Sequence, residues 1–378
     1  MTQLTLADKT LFVERFPKTT DPNLQAWDAA DEYLLKELSP ELLAESAQQG
    51  PIVIINDTFG ALACALADYR PMCVSDSYLS QVATQRNLTE NGLDSDEITM
   101  QDVLAPLPAT PSLVLFKLPK TTALLEDQLI RIRAVATSQT RIIAAAKAKE
   151  IHTSTLSLFE KILGETKTSL AWKKARLIYS QTAEPAMLEN PYPSVWPLEN
   201  TNYQITNHAN VFSRGSLDIG ARFFLSHLPS QKKGRMVDLG CGNGVLGLVA
   251  LSQNPEAEMI FVDESFMAIE SARENVMNNR ADDISRCKFI ANHALTNFDA
   301  KSVDTILCNP PFHQLQTITD EIAWQMFKDA KRCLTKGGEL WIVGNRHLDY
   351  HHKLKRLFGG AECVASNSKF VILRSINR

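Results

Sequence analysis

Among its seven cysteines (Cys64, Cys73, Cys241, Cys287, Cys308, Cys333 and Cys363) the chain has no CxxC pair, and the number is odd. That argues against a disulfide scaffold and against structural zinc, and it points to a reduced, cytoplasmic setting. No stretch approaches the roughly 18 uncharged apolar residues that a membrane span requires. The first residues, Met1 to Lys9, lack a basic segment followed by an apolar one, so no signal peptide is expected. There is no excess of charge of one sign either: the net charge is −4, with 22% charged and 44% hydrophobic residues. This is the composition of an ordinary globular protein, and 378 residues suffice for two domains.

The weak overall charge hides a regional pattern. Residues 1–50 carry nine acids and four bases, whereas 141–178 carry eight bases and three acids, and 346–378 carry seven bases and two acids. Binding of phosphate depends on local potential, so two basic regions can coexist with a mildly acidic total.

Pro185, Pro191, Pro193 and Pro197 mark a segment that resists helix formation. The expected organisation is therefore a domain over 1–184, a linker over 185–205 and a second domain over 206–378. In the second domain, strand-like runs at Arg235–Leu239, Glu258–Asp263, Lys288–Ile290, Val303–Cys308 and Glu339–Val343 alternate with helical patterns, followed by a basic helix near Leu348–Leu357 and a strand at Phe370–Leu373. That alternation predicts a parallel sheet with crossover helices. The first half repeats the order. Pro51–Asp57, Met72–Asp76 and Leu113–Lys120 fall on the first, second and fourth strands, with 41 residues from Asp76 to Lys117 against 46 from Asp263 to Asn309. An internal duplication is the preferred reading. In this first copy most of the glycines are gone and Lys117 stands where the second copy has Asn309, which makes Lys117 and Lys120 candidates for phosphate contact.

Two motifs carry the chemistry. Asp238-Leu239-Gly240-Cys241-Gly242-Asn243-Gly244 lies between a strand and a helix, where glycine permits positive φ and close approach of a ligand. With Asp263 21 residues beyond Gly242, the loop satisfies a dinucleotide fingerprint, and it fits a methyl-donor loop equally well. A sulfonium and an ammonium favour a carboxylate such as Asp238 nearby; a pyrophosphate does not. Asn309-Pro310-Pro311-Phe312 then closes the fourth strand. The residue before a proline is held extended, and consecutive prolines leave carbonyls without competing N–H groups. The Asn309 side-chain oxygen and the Pro310 carbonyl can grip both hydrogens of a planar exocyclic amine, while Phe312 offers a face on which a base stacks.

In these two motifs the sequence resembles the class I S-adenosylmethionine-dependent methyltransferases that modify exocyclic amines of adenine (N6), guanine (N2) or a protein glutamine. A degenerate first half fused to an intact second one, together with the segment Asn207–Gly220, resembles the bacterial ribosomal RNA guanine-N2 methyltransferases. Asp21–Leu34, Ala171–Arg176 and Asn345–Tyr350 are similar to the large-subunit branch. The resemblance implies an α/β protein of two tandem Rossmann-like class I methyltransferase domains, the N-terminal one degenerate. It also implies S-adenosyl-L-methionine as cofactor, 23S rRNA as partner, and guanine 1835 as target, with no membrane and no obligate protein partner. Small-subunit RNA, adenine N6 and protein glutamine remain as alternative targets.

Carried over residue by residue, Asn309, Pro310, Pro311 and Phe312 are catalytic, and Asp238, Gly240, Gly242 and Gly244 shape the donor pocket. Asp263 holds the ribose, and Asn292 is a candidate for the adenine. Phe212 and Arg214 are candidates for closing over the donor or touching substrate. Lys117, Lys120, Lys173, Lys174, Arg176, Lys353, Lys355 and Arg356 are candidates for RNA contact. His347, His351 and His352 sit among cations, so no metal is expected there. Cys241 and Cys308 are read as packing residues, because methyl transfer to an amine needs no thiolate. A nicotinamide oxidoreductase and a silent RNA-binding scaffold are the competing classes.

Overall fold

The apolar runs read from the sequence become two sheets built on one plan. The computed structural model describes residues 2–6, 9–19, 21, 23–311 and 316–378, with backbone alone for 2 and 316–320. It comprises two units, Met1–Pro191 and Tyr192–Arg378. The first holds β1 (Thr2–Thr5), β2 (Thr10–Val13), β3 (Ile52–Ile55), β4 (Met72–Ser75), β5 (Thr99–Asp102), β6 (Leu113–Lys117), β7 (Arg141–Lys147), β8 (Thr166–Thr168) and β9 (Ala175–Ser180). The second holds β10 (Ser194–Pro197), β11 (Gln204–Asn207), β12 (Gly234–Leu239), β13 (Ala257–Asp263), β14 (Cys287–Ala291), β15 (Val303–Cys308), β16 (Leu334–Asn345), β17 (Glu362–Ser366) and β18 (Phe370–Ile376).

The sheet orders are β5-β4-β3-β6-β7-β9-β8 and β14-β13-β12-β15-β16-β18-β17. In each, the first five strands pair in parallel and the last two pairings are antiparallel. The central strands are buried on both faces, which explains their nearly continuous apolar sequence. Met236 points to one core with Phe261 and Leu307, while Val237 and Leu239 point to the other with Ile260 and Ile306.

A two-stranded hairpin accompanies each sheet, β1–β2 in the first unit and β10–β11 in the second. Both are clamped by asparagines from the helix after the second sheet strand. The Asn87 and Asn91 side chains bond the backbones of Glu14 and Phe12, as those of Asn275 and Asn279 bond Thr206 and Gln204. The segment 185–205, expected as a linker, is therefore only partly one: Ser194–Pro197 is a strand, in which Val195 pairs with Thr206. Proline is tolerated at Pro197 because it ends a strand in a two-stranded ribbon. Strand β17 has no clear apolar alternation and forms on the edge that β18 offers.

Register fixes the correspondence between the copies. Leu239 lies opposite Val262 and Cys308, as Ile55 lies opposite Val74 and Phe116. Lys117 therefore stands where Asn309 stands. The counterpart of Asp263 is Ser75, however, not the expected Asp76, one residue further on.

Lys117 is not a phosphate contact. Its ammonium lies 2.9 Å from Asp28 and 2.7 Å from Asp31, with its side chain 13% exposed. The two acids form the capping box of the helix Ala29–Glu37, which brings both carboxylates to the end of β6. Asp57, also buried, accepts the N–H groups of Gly60 and Ala63, filling the turn from within. Burial, with Asp31 nearby, pushes its pKa up to about 6.

Lys117→Met should therefore strand two carboxylates beside Asp57 and lower the unfolding free energy by about 3 kcal/mol. Chemical denaturation measures this; a loss under about 0.5 kcal/mol would show the cluster to be solvated after all.

Candidate active site

In open parallel sheets ligands bind beyond the carboxyl ends of the strands, where the order reverses. In the second unit that point lies between β12 and β15. Because Leu239 and Cys308 are paired, the glycine loop and Asn309 leave the sheet side by side although Gly244 and Asn309 are 65 residues apart.

Gly240, Gly242 and Gly244 all have positive φ (70°, 54° and 75°). At Gly244 a side chain is also sterically excluded, since a Cβ would meet Ala272 at 2.7 Å. At Gly242 nothing lies within 4 Å of that position, so the loop presents bare backbone there. The Gly242 N–H donates to Asp263 Oδ2 at 2.9 Å and the Ser265 N–H to Oδ1 at 3.0 Å, which orients the carboxylate at the end of β13. Burial raises the Asp263 pKa against these backbone donors.

Asp238 is 1% exposed. Its Oδ2 accepts the Gly247 N–H at 2.8 Å, at the start of the helix Val245–Gln253, while Oδ1 is buried without a partner among the described residues. Burial, with a contribution from Asp263, pushes its pKa up to about 7. An asparagine network that the sequence reading missed holds the loop from behind. Asn243 donates to Asn207 Oδ1, and Asn275 to the Asn243 carbonyl, each at 2.9 Å.

Asn309 follows β15 directly. Its Nδ2 donates to Asp218 Oδ2 at 3.4 Å, and its Oδ1 is buried and has no partner among the described residues. The amide is thus held by its donor end with its acceptor end unpaired among the described residues. Asp218 is the N-cap of the helix Ile219–Leu225, accepting the Ala221 N–H at 2.8 Å. No role had been assigned to it. An aspartate just before a helix signals a cap, and nothing local signals its contact with Asn309. Pro310 is buried and Pro311 half-buried, while Phe312 lies outside the described residues.

The remaining candidates divide. Asn292 is 1% exposed, and its amide is engaged in its own loop, donating to the Ala294 carbonyl and accepting from Asn297. The expected adenine contact through that side chain is therefore corrected to a loop-stabilising role. Arg214 donates to the Ala209 carbonyl and lies 5.2 Å from the Tyr192 ring, while Phe212 is 54% exposed. Lys173 is ion-paired with Glu32 and, like Lys36, lies 4.7 Å from the Trp172 ring. Lys120, Lys174 and Arg176 are exposed. Lys353 and Arg356 line a groove with Glu321, Trp324 and His352, beside exposed Lys355. Among the described residues no group of three His, Cys, Asp or Glu is arranged to hold a metal. Cys241 and Cys308 are buried, and burial pushes both thiols far above the usual range, which leaves them as packing groups.

Residues 1–184 match the family described as RLMG N-terminal domain, and residues 202–374 match the methyltransferase small domain. The ribosomal RNA large subunit methyltransferase G of Aeromonas salmonicida is 59% identical over 379 residues, covering 100% of both chains. That of Pectobacterium atrosepticum is 57% identical over 377 residues, covering 100% of this chain and 98% of the relative. Among solved structures, the T. thermophilus 16S rRNA N2 G1207 methyltransferase, in complex with AdoMet and guanosine, superposes with a TM-score of 0.73 at 19% identity. The match covers 100% of this chain and 98% of that one, and it bears on the fold. By its full-length identity to curated relatives, the chain belongs to the ribosomal RNA large subunit methyltransferase G family.

Proposed function

We propose that the protein transfers a methyl group from S-adenosylmethionine to the exocyclic N2 amine of a guanine in 23S rRNA, with position 1835 as the target. The observation that carries the reading is the Asn309 amide, held by Asp218 through its nitrogen and offering a buried, unpartnered oxygen beside the glycine loop. The names of the relatives favour the large subunit over the small, and RNA over a protein glutamine.

The residues present fit the donor. Asp238 has an unpartnered buried oxygen suited to an ammonium, Gly242 leaves its Cβ position empty, and Asp263 is oriented for a ribose. When bound, S-adenosylmethionine supplies an electrophilic methyl carbon. The chain supplies the rest. An exocyclic amine is a poor nucleophile because its lone pair is delocalised into the ring. Asn309 Oδ1 and the Pro310 carbonyl accept its two hydrogens and turn the lone pair toward the donor site. As the nitrogen attacks it gains positive charge, and the same two oxygens stabilise that charge without reorganising. After transfer the methylated nitrogen gives up one proton to solvent water past these oxygens, neither of which is basic enough to keep it.

The first unit, with its turn closed by Asp57 and its Asn309 position occupied by Lys117, docks and orients RNA. No helix among the described residues is long and apolar enough to cross a membrane, and we place the enzyme in the cytoplasm with its RNA.

Two measurements test these assignments. The raised pKa of Asp238 means that the ligand-free fold loses stability as pH climbs from the usual carboxylate value to about 7. A ligand ammonium gains its counter-charge over the upper part of that range. Calorimetric binding of S-adenosylhomocysteine should therefore strengthen severalfold as pH rises through about 7, and Asp238→Asn should flatten the curve; a flat wild-type profile would contradict the role. Asn309→Ala should reduce methyl transfer to 23S rRNA about a hundredfold or more while leaving S-adenosylhomocysteine affinity near normal. Equal loss of both would assign Asn309 to folding instead.

A further inference from the structure

We infer that Asp218 reads the N1–H of the target guanine and so selects that base against adenine. The inference rests on the proposed guanine-N2 activity and names how the site chooses its substrate.

The geometry places the Asn309 amide beside the Asp218 carboxylate. Asn309 Oδ1 is buried and unpartnered, and its amide nitrogen lies 3.4 Å from Asp218 Oδ2. That oxygen also accepts the Ala221 N–H, and a Cβ on Gly220 would sit 3.0 Å from it, so this side of the carboxylate is committed to the protein. Oδ1 is the remaining oxygen of a half-buried side chain. The Asn309 N–H group is itself turned to the carboxylate, so what the pair offers a ligand is acceptor beside acceptor.

Guanine alone among the alternative targets presents donor beside donor, with N2–H next to N1–H. Adenine presents N6–H next to an N1 lone pair, which a carboxylate repels. The amide of a glutamine has a donor beside its own carbonyl acceptor. An amine held by Asn309 therefore places guanine N1–H toward Asp218, where a charge-assisted hydrogen bond forms. A site built around such a bond rejects an analogue lacking the donor far more strongly than one that lost only apolar contact.

The test uses the full-length enzyme and a 23S rRNA segment with guanine or 2-aminopurine at the target nucleotide. 2-Aminopurine keeps the N2 amine and carries a lone pair at N1. Wild-type kcat/KM should favour guanine by about 30-fold or more. Asp218→Asn keeps a helix-capping side chain, and its amide can donate to the 2-aminopurine N1. It should lower guanine transfer at least tenfold and shrink the preference to about threefold or less. Asp218→Ser, also a cap, should shrink the preference as well if the asparagine variant does not fold. Equal use of both RNAs by wild type, or a full preference kept by the variants, would overturn the inference and reduce Asp218 to holding Asn309. Transfer by wild type to neither RNA would overturn the guanine-N2 reading beneath it.

Discussion

The site depends on one register: Leu239 and Cys308 lie opposite each other on adjacent parallel strands. That pairing ends the two strands together, so that a loop of bare backbone and a rigid Asn-Pro-Pro turn emerge as neighbours. Everything chemical follows from which side chains then stand at the sheet's edge. Asp263 ends the next strand opposite Ala291 and is turned to the loop's N–H groups, while Asn292, one residue beyond Ala291, is folded back on its own turn. Parallel sheets tolerate such an edge because the strands themselves are buried and need no polar help.

The first unit applies the same scaffold to a different end. Its strands have the same order, and its hairpin is held by the same kind of asparagine clamp. At the edge, however, ionic contacts within the protein replace openings. Asp57 caps the turn, and Lys117 is matched by Asp28 and Asp31. A cation fixed among carboxylates keeps the sheet edge folded without a ligand, whereas the second unit leaves Asp238 Oδ1 and Asn309 Oδ1 unpaired. Unsatisfied buried acceptors are unfavourable to folding, and among the described residues they stand at the edge of the second sheet and not at that of the first.

Much of this was legible in the sequence, because glycine and proline act locally. Positive φ at Gly240, Gly242 and Gly244, and the restriction that Pro310 places on Asn309, follow from residue type and neighbours alone. The strands β12, β13 and β15 were legible from their apolar runs. What escaped depends on contacts distant in sequence. Asp218 reads as a helix cap, and its bond to Asn309 spans 91 residues. A lysine closing a strand reads as solvated, and only folding brings Asp28 and Asp31 to Lys117. Asn292 looked available because its partners in the following turn share no recognisable motif. The hairpin β10–β11 was hidden by the prolines around it, which suggest an extended segment without saying that it pairs.

The proposed activity is an electrostatic one: oxygens fixed in advance hold an amine whose nitrogen must become positive. Its most direct test is chemical mapping of N2-methylguanine in 23S rRNA from cells with and without the gene, by mass spectrometry or primer extension. The account predicts that one N2-methylguanine disappears on deletion and returns when the wild-type gene is restored. An unchanged pattern of N2-methylguanine in 23S rRNA would contradict it.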